Sequence, residues 1–354
     1  MGRLLKAILS IVLTVVILAA ALVGVLTATE FRPDAVESVG ISGNASAAAE
    51  NGATISVLTW NIGYGALGDN ADFFMDGGKS VNTADRERIE RNLNGMIERV
   101  EEIAPDIIFM QETDRNSARS KFVDEAARFC GELSGYESAF ANNFKTVFVP
   151  YPLPPIGKVD GGIITLSKYD MSSAERVSLP CPFSWPVSTV NLKRCLLVSR
   201  VPVSGTDKEL VLVNLHLEAY DDGDGKIEQT EQLRALLDEE AAKGNYVIAG
   251  GDFNQTFSSV DPDIYPTQEG KWQAGVINTE DFGSDFSMLM DPSTPTCRSL
   301  DQPYAGADKE SFQYYVIDGF IVSSNLRVES IETLDEGFLC ADHNPVLMSV
   351  VIDG

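Results

Sequence analysis

Polar side chains that can bind a metal ion or move a proton interrupt or close six apolar segments of this sequence. A carboxylate or imidazole buried there without a partner is costly, so each must be paired, coordinated or open to a cleft. Singly, each has an ordinary explanation, such as a turn or a buried hydrogen bond. Together they indicate a functional site, and they are Asn61, Glu112, His216, Asp252 with Asn254, Asp318, and Asp342 with His343.

The two histidines strengthen this interpretation. The chain of 354 residues contains only two, and both fall inside these segments, His216 in LVNLHLE and His343 in ADHNPV. Random placement would scatter them along the chain.

The segment VIAGGDFNQ (247–255) shows how the polar end of a strand could contribute to a functional site. Side chains on a strand alternate between its faces, so Asp252 and Asn254 point to one side and Phe253 to the other. Gly250 and Gly251 lack a Cβ and permit the close approach of a ligand or a second backbone. Taken alone, however, this segment is better explained as a turn, because Asp and Asn are common where strands end.

The inventory of side chains favours hydrolysis of phosphate esters with a hard divalent cation. Carboxylate and amide oxygens, without a cysteine ligand, suit Mg²⁺ or Mn²⁺, and Glu112 is the first candidate ligand. A metal ion, a protonated histidine and an asparagine N–H can each stabilise the charge that develops on the phosphate. A neighbouring aspartate can orient or deprotonate the attacking water.

Apolar segments that read as strands alternate with amphipathic helices from residue 54 onward. One helix is predicted between Thr83, as N-cap, and Pro105. A second is predicted from about Lys226 to Lys243, with Ile227, Leu233, Leu236 and Leu237 inward and Gly244 as C-cap. The sequence contains no repeat or internal linker, so we expect one α/β domain over 54–354. The predicted strands are 55–62, 106–112, 161–167, 195–203, 209–217, 246–254, 315–323 and 345–352.

The N-terminal segment, residues 1–30, predicts a membrane anchor. After Arg3 and Lys6 the chain carries no charge until Glu30, a length that as a helix crosses a hydrocarbon core of ~30 Å. A cleaved signal peptide is the alternative, but its apolar region is usually shorter and VLTAT is a poor cleavage site. We expect an uncleaved signal-anchor with the domain outside the cytoplasm, joined by a flexible tether of small residues over 31–53.

Composition narrows the choice of partners. The hydrophobic fraction of 44% excludes a disordered chain, and the formal charge of −25 disfavours binding along a nucleic acid. The five cysteines lack CxxC spacing; a bridge such as Cys181 to Cys195 is possible outside the cytoplasm, and none of the five looks catalytic. The acidic segment DDGDGKIE (221–228) lacks EF-hand spacing and reads as a solvated helix entry.

Seven motifs, TWNIG, DIIFMQE, GGIITLSKYD, VNLHL, GGDFN, VIDGF and ADHNPV, resemble in order and spacing the endonuclease/exonuclease/phosphatase superfamily. That group includes deoxyribonucleases, sphingomyelinases and inositol-polyphosphate 5-phosphatases. The resemblance covers about residues 54–353. It implies a four-layer α/β/β/α sandwich with two packed, mostly antiparallel sheets and the site at one end.

Carried over by motif, the resemblance implies a role for each polar residue. Glu112 would hold the metal, with Asn61 and Asp342 near it. Asp252 would orient the nucleophilic water, and Asn254 would contact the phosphate. His343, held by Asp318, would bind or protonate phosphate oxygens, with His216 across from it. Mechanisms within the family differ in which group is the base, and the glycine after Asp318 departs from many relatives.

Three functions stay open. The first, which we favour, is a membrane-tethered, monomeric phosphodiesterase or phosphatase acting on a small or lipid-linked ester. The second is a nuclease, which would need the basic residues to gather in one groove, and the third is a non-catalytic binding module. Arg194 is a candidate for phosphate binding, with a solvated strand start as its alternative. Loops 66–80 and 142–162 are candidate substrate walls; the basic residues in question are Lys79, Lys145, Lys158, Lys193 and Arg194.

Overall fold

The computed structural model describes residues 2–45, 47–221 and 224–353 of the chain. Its helices are α1 (Gly2–Ala28), α2 (Arg86–Ile103), α3 (Glu125–Glu132) and α4 (Asp224–Ala242). Short 3₁₀ turns lie at Gly63–Gly65, Phe74–Asp76, Val187–Val190, Thr279–Phe282 and Lys309–Ser311. The strands are β1 (Val36–Ser38), β2 (Ile41–Gly43), β3 (Ala49–Glu50), β4 (Thr54–Asn61), β5 (Ile107–Asp114), β6 (Glu137–Val149), β7 (Gly157–Ser167), β8 (Ser173–Ser178), β9 (Cys195–Ser204), β10 (Glu209–His216), β11 (Tyr246–Asp252), β12 (Gln255–Phe257), β13 (Gly275–Ile277), β14 (Phe286–Leu289), β15 (Cys297–Arg298), β16 (Tyr314–Tyr315), β17 (Asp318–Ser323), β18 (Leu326–Thr333) and β19 (Val346–Ile352).

Two mixed sheets pack face to face. One runs in the order β1-β8-β9-β10-β11-β17-β14, with β3 added on β9, and the other in the order β18-β19-β4-β5-β7-β6-β2. Their inner faces share one apolar core, which includes Val57 and Phe109 from one sheet and Leu212, Ile248 and Phe320 from the other. Burial of this kind contributes about 25 cal/mol for each Å² of apolar surface removed from water.

The helices cover the outer faces and complete the predicted four-layer sandwich. Ile89, Leu93 and Phe129 of α2 and α3 pack on the β4–β5 sheet, while Leu233 and Leu237 of α4 pack on the other. Helix α2 connects β4 to β5, and α4 connects β10 to β11. The two strands of each pair are neighbours in their sheet and run parallel. The carboxyl ends of these four strands therefore carry Asn61, Glu112, His216 and Asp252, four of the polar residues that the sequence singled out.

The predicted helices are correct in place but differ in detail. Asp85 caps α2 in place of Thr83, because its carboxylate accepts the backbone N–H of Arg88, whereas the Thr83 hydroxyl donates to the carbonyl of Ala66. On α4, Leu233 and Leu237 are buried as predicted, but Ile227 is exposed. Gly244 follows α4 with a φ of +78°, as a C-cap glycine should.

Three strands of six or more residues, β6, β8 and β18, are missing from the sequence prediction, and β6 is the longest of them. Residues 142–149 belong to β6 and residues 157–162 to β7, so the predicted loop 142–162 is reduced to a short turn between two paired strands. Small and polar residues such as Ala141, Asn142 and Asn143 hide the alternation of β6. The hairpin extends past the end of β5, since Asp114 pairs with Gly161 while Lys145 and Val149 pair further out with Asp160 and Gly157.

The segment predicted as a flexible tether is instead bound to the domain. Strand β1 pairs with β8 of one sheet, β2 with β6 of the other, and β3 with β9. The small side chains of 31–53 suggested flexibility, but they also fit closely along sheet edges. Within that range Ser46 lies outside the described residues, as do Met1 of the predicted anchor and Gly354 of the predicted domain.

The proposed bridge between Cys181 and Cys195 is absent, and all five cysteines are free. The Cys181 thiol faces the carbonyl of Leu192, and the Cys195 thiol faces that of Asn142. The acidic segment 221–228 leads into α4, where the Asp221 carboxylate accepts the N–H of Gly225, although Asp222 and Gly223 lie outside the described residues.

Helix α1 is long and apolar enough to cross a membrane. It has 27 residues, an 18-residue stretch within it has a mean hydropathy of 3.0, and most of its side chains are exposed. Near its end Leu26 is buried against the domain. By length and composition a signal sequence would satisfy the same criteria.

Candidate active site

Strand register brings the polar residues of one sheet into a single row. Cα pairing places His216 of β10 opposite Asp252 of β11, and Asp252 opposite Asp318 of β17. A side chain at Gly251 would overlap the carbonyl oxygen of Leu215, so the close approach of β10 and β11 requires glycine there. The row lies at the carboxyl end of the parallel pair.

The facing sheet supplies Asn61 and Glu112. Asn61 ends β4 opposite Gln111, and Glu112 sits where the pairing of β5 with β7 shifts register. Glu112 has a φ of +53° and Asn254 a φ of +50°. Non-glycine residues rarely adopt this region, at a cost of about 1–3 kcal/mol, and such strain concentrates at functional sites. The backbone thus turns both side chains out of their strands.

Asn61 connects the two sheets at the centre of the site. Its side-chain amide donates to Asp252 Oδ2 at 2.9 Å and to Glu112 Oε1 at 3.3 Å. Its own oxygen accepts the backbone N–H of Gly63 at 3.1 Å. The second oxygen of Asp252 accepts the backbone N–H of Asn254, and the Asn254 amide donates to the carbonyl of Leu217.

The two histidines stand on either side of Asp252. His216 Nε2 lies 3.5 Å from Asp252 Oδ2 and 4.0 Å from Glu112 Oε1, and His343 Nε2 lies 3.8 Å from Asp252 Oδ2. His343 Nδ1 lies 2.8 Å from Asp318 Oδ2, and the Trp60 indole donates to the carbonyl oxygen of His343. Asp318 therefore orients His343 with Nε2 towards the cleft.

Their surroundings shift the pKa values of the two imidazoles in opposite directions. Burial, followed by the positive charge of Arg194, lowers the pKa of His216 well below its ordinary value. Burial also opposes charge on His343, but the carboxylate of Asp318 outweighs it and raises the pKa of His343 well above its ordinary value. His216 is therefore neutral and His343 cationic at neutral pH.

Two buried carboxyl groups have pKa values well above those of ordinary aspartates. Burial, followed by the charge of Asp318, raises the pKa of Asp252 to about 7. Burial also raises the pKa of Asp342 to about 7, and the charge of Glu112 adds to the rise. Like charges brought together in a desolvated site have this effect, which a cation would reverse.

The donor set fits a hard divalent cation. Asp342 Oδ1 is buried without a hydrogen-bond partner among the described residues. The Glu112 carboxylate remains partly open, and among the described residues its side chain accepts only the long hydrogen bond from Asn61 on Oε1. These groups, together with the Asn61 oxygen, are all oxygen ligands of the kind that Mg²⁺ and Mn²⁺ prefer. The charge of Glu112 helps to raise the pKa of Asp342, and a cation bound between the two carboxylates would offset this repulsion.

The structure thus brings together Asn61, Glu112, His216, Asp252, Asn254, Asp318, Asp342 and His343, while their chemical roles stay predictions. Arg194 lies beside the group but is buried: its guanidinium donates to Glu218 Oε2 at 3.2 Å and to the carbonyl of His216 at 3.1 Å. Both donors point into the protein. Its predicted contact with a phosphate remains untested.

Several residues at the site were missed from the sequence. Asp76, in the loop before α2, has a pKa raised to about 6 by burial and then by the charge of Glu112, so it faces the same cleft. Cys297 pairs with His343 across a β-bridge, and their ligand atoms lie within 4.8 Å of each other and of Asp342. Neither Asp76 nor Cys297 stands at the end of a recognisable apolar segment.

A polar link between the sheets was also missed. The Gln111 amide donates to Asn214 Oδ1 at 2.9 Å, and the Asn214 amide donates to the carbonyl oxygens of Ile164 and Met110. Gln111 precedes Glu112, and Asn214 lies two residues before His216. Their position beside site residues was the only indication available.

Three of the basic residues that could have formed a nucleic-acid groove are held in ion pairs, among them Lys145, whose Nζ lies 3.8 Å from Asp160 Oδ2. Lys193 Nζ lies 3.0 Å from Glu30, and Arg194 is paired with Glu218. Lys145 and Lys158 line a depression beside the end of α1, together with Thr29 and Phe31. Lys79 is exposed on the loop before α2.

Solved structures with the same architecture share little sequence with this chain. The endonuclease/exonuclease/phosphatase from Beutenbergia cavernae has 20% identity and a TM-score of 0.58, over 85% of this chain and 72% of that one. The family protein from Bacteroides thetaiotaomicron has 16% identity and a TM-score of 0.55, over 85% and 96%. Truncated TDP2 from Caenorhabditis elegans has 15% identity and a TM-score of 0.51, over 85% and 99%. These likenesses show the fold.

Among curated proteins, none matches this sequence. The sequence pattern of one family, described as the Endonuclease/Exonuclease/phosphatase family, matches residues 58–338, which is most of the chain. The match includes six of the eight clustered positions, and Asp342 and His343 lie just beyond it. The family resemblance inferred from the motifs is therefore confirmed, and the chain belongs to the endonuclease/exonuclease/phosphatase family.

Proposed function

We propose that this protein is a divalent-metal-dependent hydrolase of phosphate esters, anchored in a membrane by α1 with its catalytic domain outside the cytoplasm. The observation that carries the proposal is the meeting of Asn61, Glu112 and Asp342 with Asp252 and His343 at one end of the packed sheets. The family name describes nucleases and phosphatases, and both cleave phosphate esters.

Glu112, Asn61 and Asp342 are the residues that would hold Mg²⁺ or Mn²⁺. A bound ion of this kind would neutralise charge on the phosphate oxygens. The Asp342 oxygen without a partner and the partly open Glu112 carboxylate support this assignment.

The residues around Asp252 supply the proton chemistry. Asp252, fixed by Asn61 and by the N–H of Asn254, accepts a proton from the attacking water. Water adds to phosphorus, the ester P–O bond breaks, and the leaving oxygen takes a proton. His343 is the donor of that proton or of a hydrogen bond to the phosphate, because Asp318 keeps it cationic.

The remaining polar groups position the phosphate. His216 is neutral and offers Nε2 beside Asp252 and Glu112. The Asn254 amide has two N–H donors, of which Leu217 accepts one. An amide and a neutral imidazole can bind phosphate oxygens without adding charge that would repel the metal.

A small or lipid-linked ester is the favoured substrate, and a nucleic acid is disfavoured. Binding along a nucleic acid depends on several free lysines and arginines, whereas Lys193 and Arg194 are paired and the chain carries a charge of −25.

The test is an assay of the full-length protein in detergent with Mg²⁺ or Mn²⁺ and with excess chelator. Its substrates are a chromogenic phosphodiester, phospholipid, sphingomyelin, phosphoinositide, sugar phosphate and nucleic acid. We expect chelator to abolish hydrolysis and added metal to restore it. Full activity in chelator would contradict the metal mechanism, and absence of hydrolysis in every case would favour a binding module.

A further inference from the structure

Large apolar side chains stand exposed on two neighbouring loops. Leu153 is 89% exposed and Tyr151 70% exposed in the turn between β6 and β7, and Trp185 is 62% exposed in the loop between β8 and β9. We call the exposed apolar residues of these loops and of the adjoining end of β6 the membrane-facing surface, which consists of Val147, Phe148, Tyr151, Leu153, Trp185 and Val187. A soluble domain rarely keeps such residues together in water.

The two loops are packed together through a shared apolar cluster. Beneath them, Phe144, Val149 and Val159 of the hairpin pack with Val190 and Leu192 of the other loop in a small apolar cluster. Prolines further restrict the hairpin turn, whose sequence is PYPLPPI over 150–156. The exposed residues are therefore held outward and do not collapse onto the domain.

This surface is continuous with the end of α1. The Trp185 indole donates to the Thr27 hydroxyl at 3.0 Å, and Val147 and Lys158 line the same depression as Thr29 and Phe31. If α1 crosses a bilayer, any residue bonded to its last turn lies at the boundary between lipid and water. Tryptophan, tyrosine and lysine are the residues that favour this boundary.

The same surface reaches the wall of the active site. The Tyr151 ring packs edge to face on Phe74, with 6.0 Å between ring centroids. Phe74 begins the short turn that ends at Asp76, which is near enough to Glu112 to feel its charge. The hairpin also extends beyond the site end of β5, so the exposed loops and the cleft lie at the same end of the sandwich.

We propose that the membrane-facing surface inserts into the interface of the bilayer that α1 crosses, and that the cleft consequently works on phosphate esters held at that interface. The occupant is the lipid headgroup and upper acyl region, because the surface continues from the membrane helix itself. The statement about substrate rests on the proposed function, whereas the statement about insertion rests only on α1 spanning the membrane.

Insertion is tested with the full-length protein in vesicles of phosphatidylcholine and phosphatidylglycerol whose upper acyl chains are brominated. In a Trp185→Phe background, Leu153→Trp places an indole at the tip of the hairpin. Thr206→Trp places a control indole in the turn between β9 and β10, about 30 Å from the site end of β10 at ~3.3 Å per residue. Trp60 and Trp272 provide a constant background.

We expect bromine to quench the indole of Leu153→Trp and to leave that of Thr206→Trp at background. Equal quenching of the two would overturn insertion. If the indole of Leu153→Trp is not quenched and the chain self-associates through this surface, the surface binds a second copy of the chain. That result would also overturn the proposal.

The effect on substrate is measured with two esters of the same chemistry, ethyl p-nitrophenyl phosphate in solution and hexadecyl p-nitrophenyl phosphate in the vesicles. Leu153→Glu should lower the ratio of the vesicle rate to the solution rate by about tenfold, equivalent to about 1.4 kcal/mol, while Thr206→Glu should not change it. An unchanged ratio in Leu153→Glu would overturn action at the interface. Absence of hydrolysis of both esters by the unmodified protein would contradict the proposed function, and the quenching result would still decide insertion.

Discussion

At the scale of single residues, the site separates two chemically identical histidines by their neighbours. Asp318 keeps His343 cationic, whereas burial and Arg194 keep His216 neutral. Asp252 lies between them, and its Oδ2 is within 4 Å of the Nε2 atom of each histidine. A proton acceptor next to a fixed proton donor is the arrangement that phosphate-ester hydrolysis requires.

The first prediction concerns Asp252. Asp252→Asn keeps the shape of the side chain but removes the charge that activates water, so we expect turnover to fall by about 10²–10⁴-fold with little change in the thermal midpoint. The exposed Asp263→Asn is the matched control and should retain full activity. If folded Asp252→Asn hydrolyses the substrate at an unchanged rate, the segment GGDFN is an ordinary turn without a catalytic role.

The second prediction concerns the metal. Glu112→Gln removes a charged ligand, and we expect the Mg²⁺ concentration for half-maximal activity to rise by at least about tenfold. Asp76→Asn removes a nearby charge from a residue that is not assigned as a metal ligand. It therefore controls for the electrostatic potential of the cleft, and it should raise the Mg²⁺ concentration for half-maximal activity much less. Equal shifts in the two variants would argue against ligation by Glu112.

At the scale of elements, register and backbone conformation place the site residues, and sequence patterns reveal only part of this. Apolar runs ending in polar residues located β4, β10 and β11 and hence most of the site. They could not locate β6, whose small and polar residues hide its alternation, or Cys297, which reaches His343 through an isolated bridge. The positive φ of Glu112 is likewise a consequence of tertiary pairing, which no local pattern encodes.

The third prediction concerns how α4 is fixed to its sheet. Burial alone would raise the pKa of Glu240, but hydrogen bonds from Arg200, Lys243 and Asn245 outweigh it and lower the pKa to about 2. Because the pKa is lowered on folding, the stabilisation is fully present above pH 4.5 and is lost as the pH falls towards about 2.

We therefore expect Glu240→Gln to lower the free energy of unfolding by about 2 kcal/mol at neutral pH, and this difference to shrink below pH 4.5. Urea unfolding of the full-length protein in detergent measures it. The neighbouring Glu239→Gln is the control, because its side chain is exposed and pairs only with Lys243, and should cost much less. A difference that is independent of pH would show that the charge of Glu240 contributes nothing.

At the scale of the whole molecule, residues 31–53 attach α1 to the domain. The family resemblance carried by seven motifs implied the four layers, and an uncharged run in the sequence predicted α1. It did not predict that β1 and β2 bind to opposite sheets, because three-residue strands owe their conformation to the edges they meet. With Leu26 buried and Lys193 paired to Glu30, the domain is held close to the end of α1.

The last prediction follows from that attachment. If α1 is an uncleaved anchor, its 27 residues exceed a hydrocarbon core of ~30 Å at ~1.5 Å per residue, and Arg3 and Lys6 keep its start in the cytoplasm. We expect the full-length chain to stay in washed membranes, and protease added to intact cells to remove the domain. Leu13→Arg with Val16→Arg should reduce membrane retention, since each charge costs about 2.5–3.5 kcal/mol at the bilayer centre. Recovery of a soluble chain that begins near residue 30 would instead identify α1 as a cleaved signal sequence.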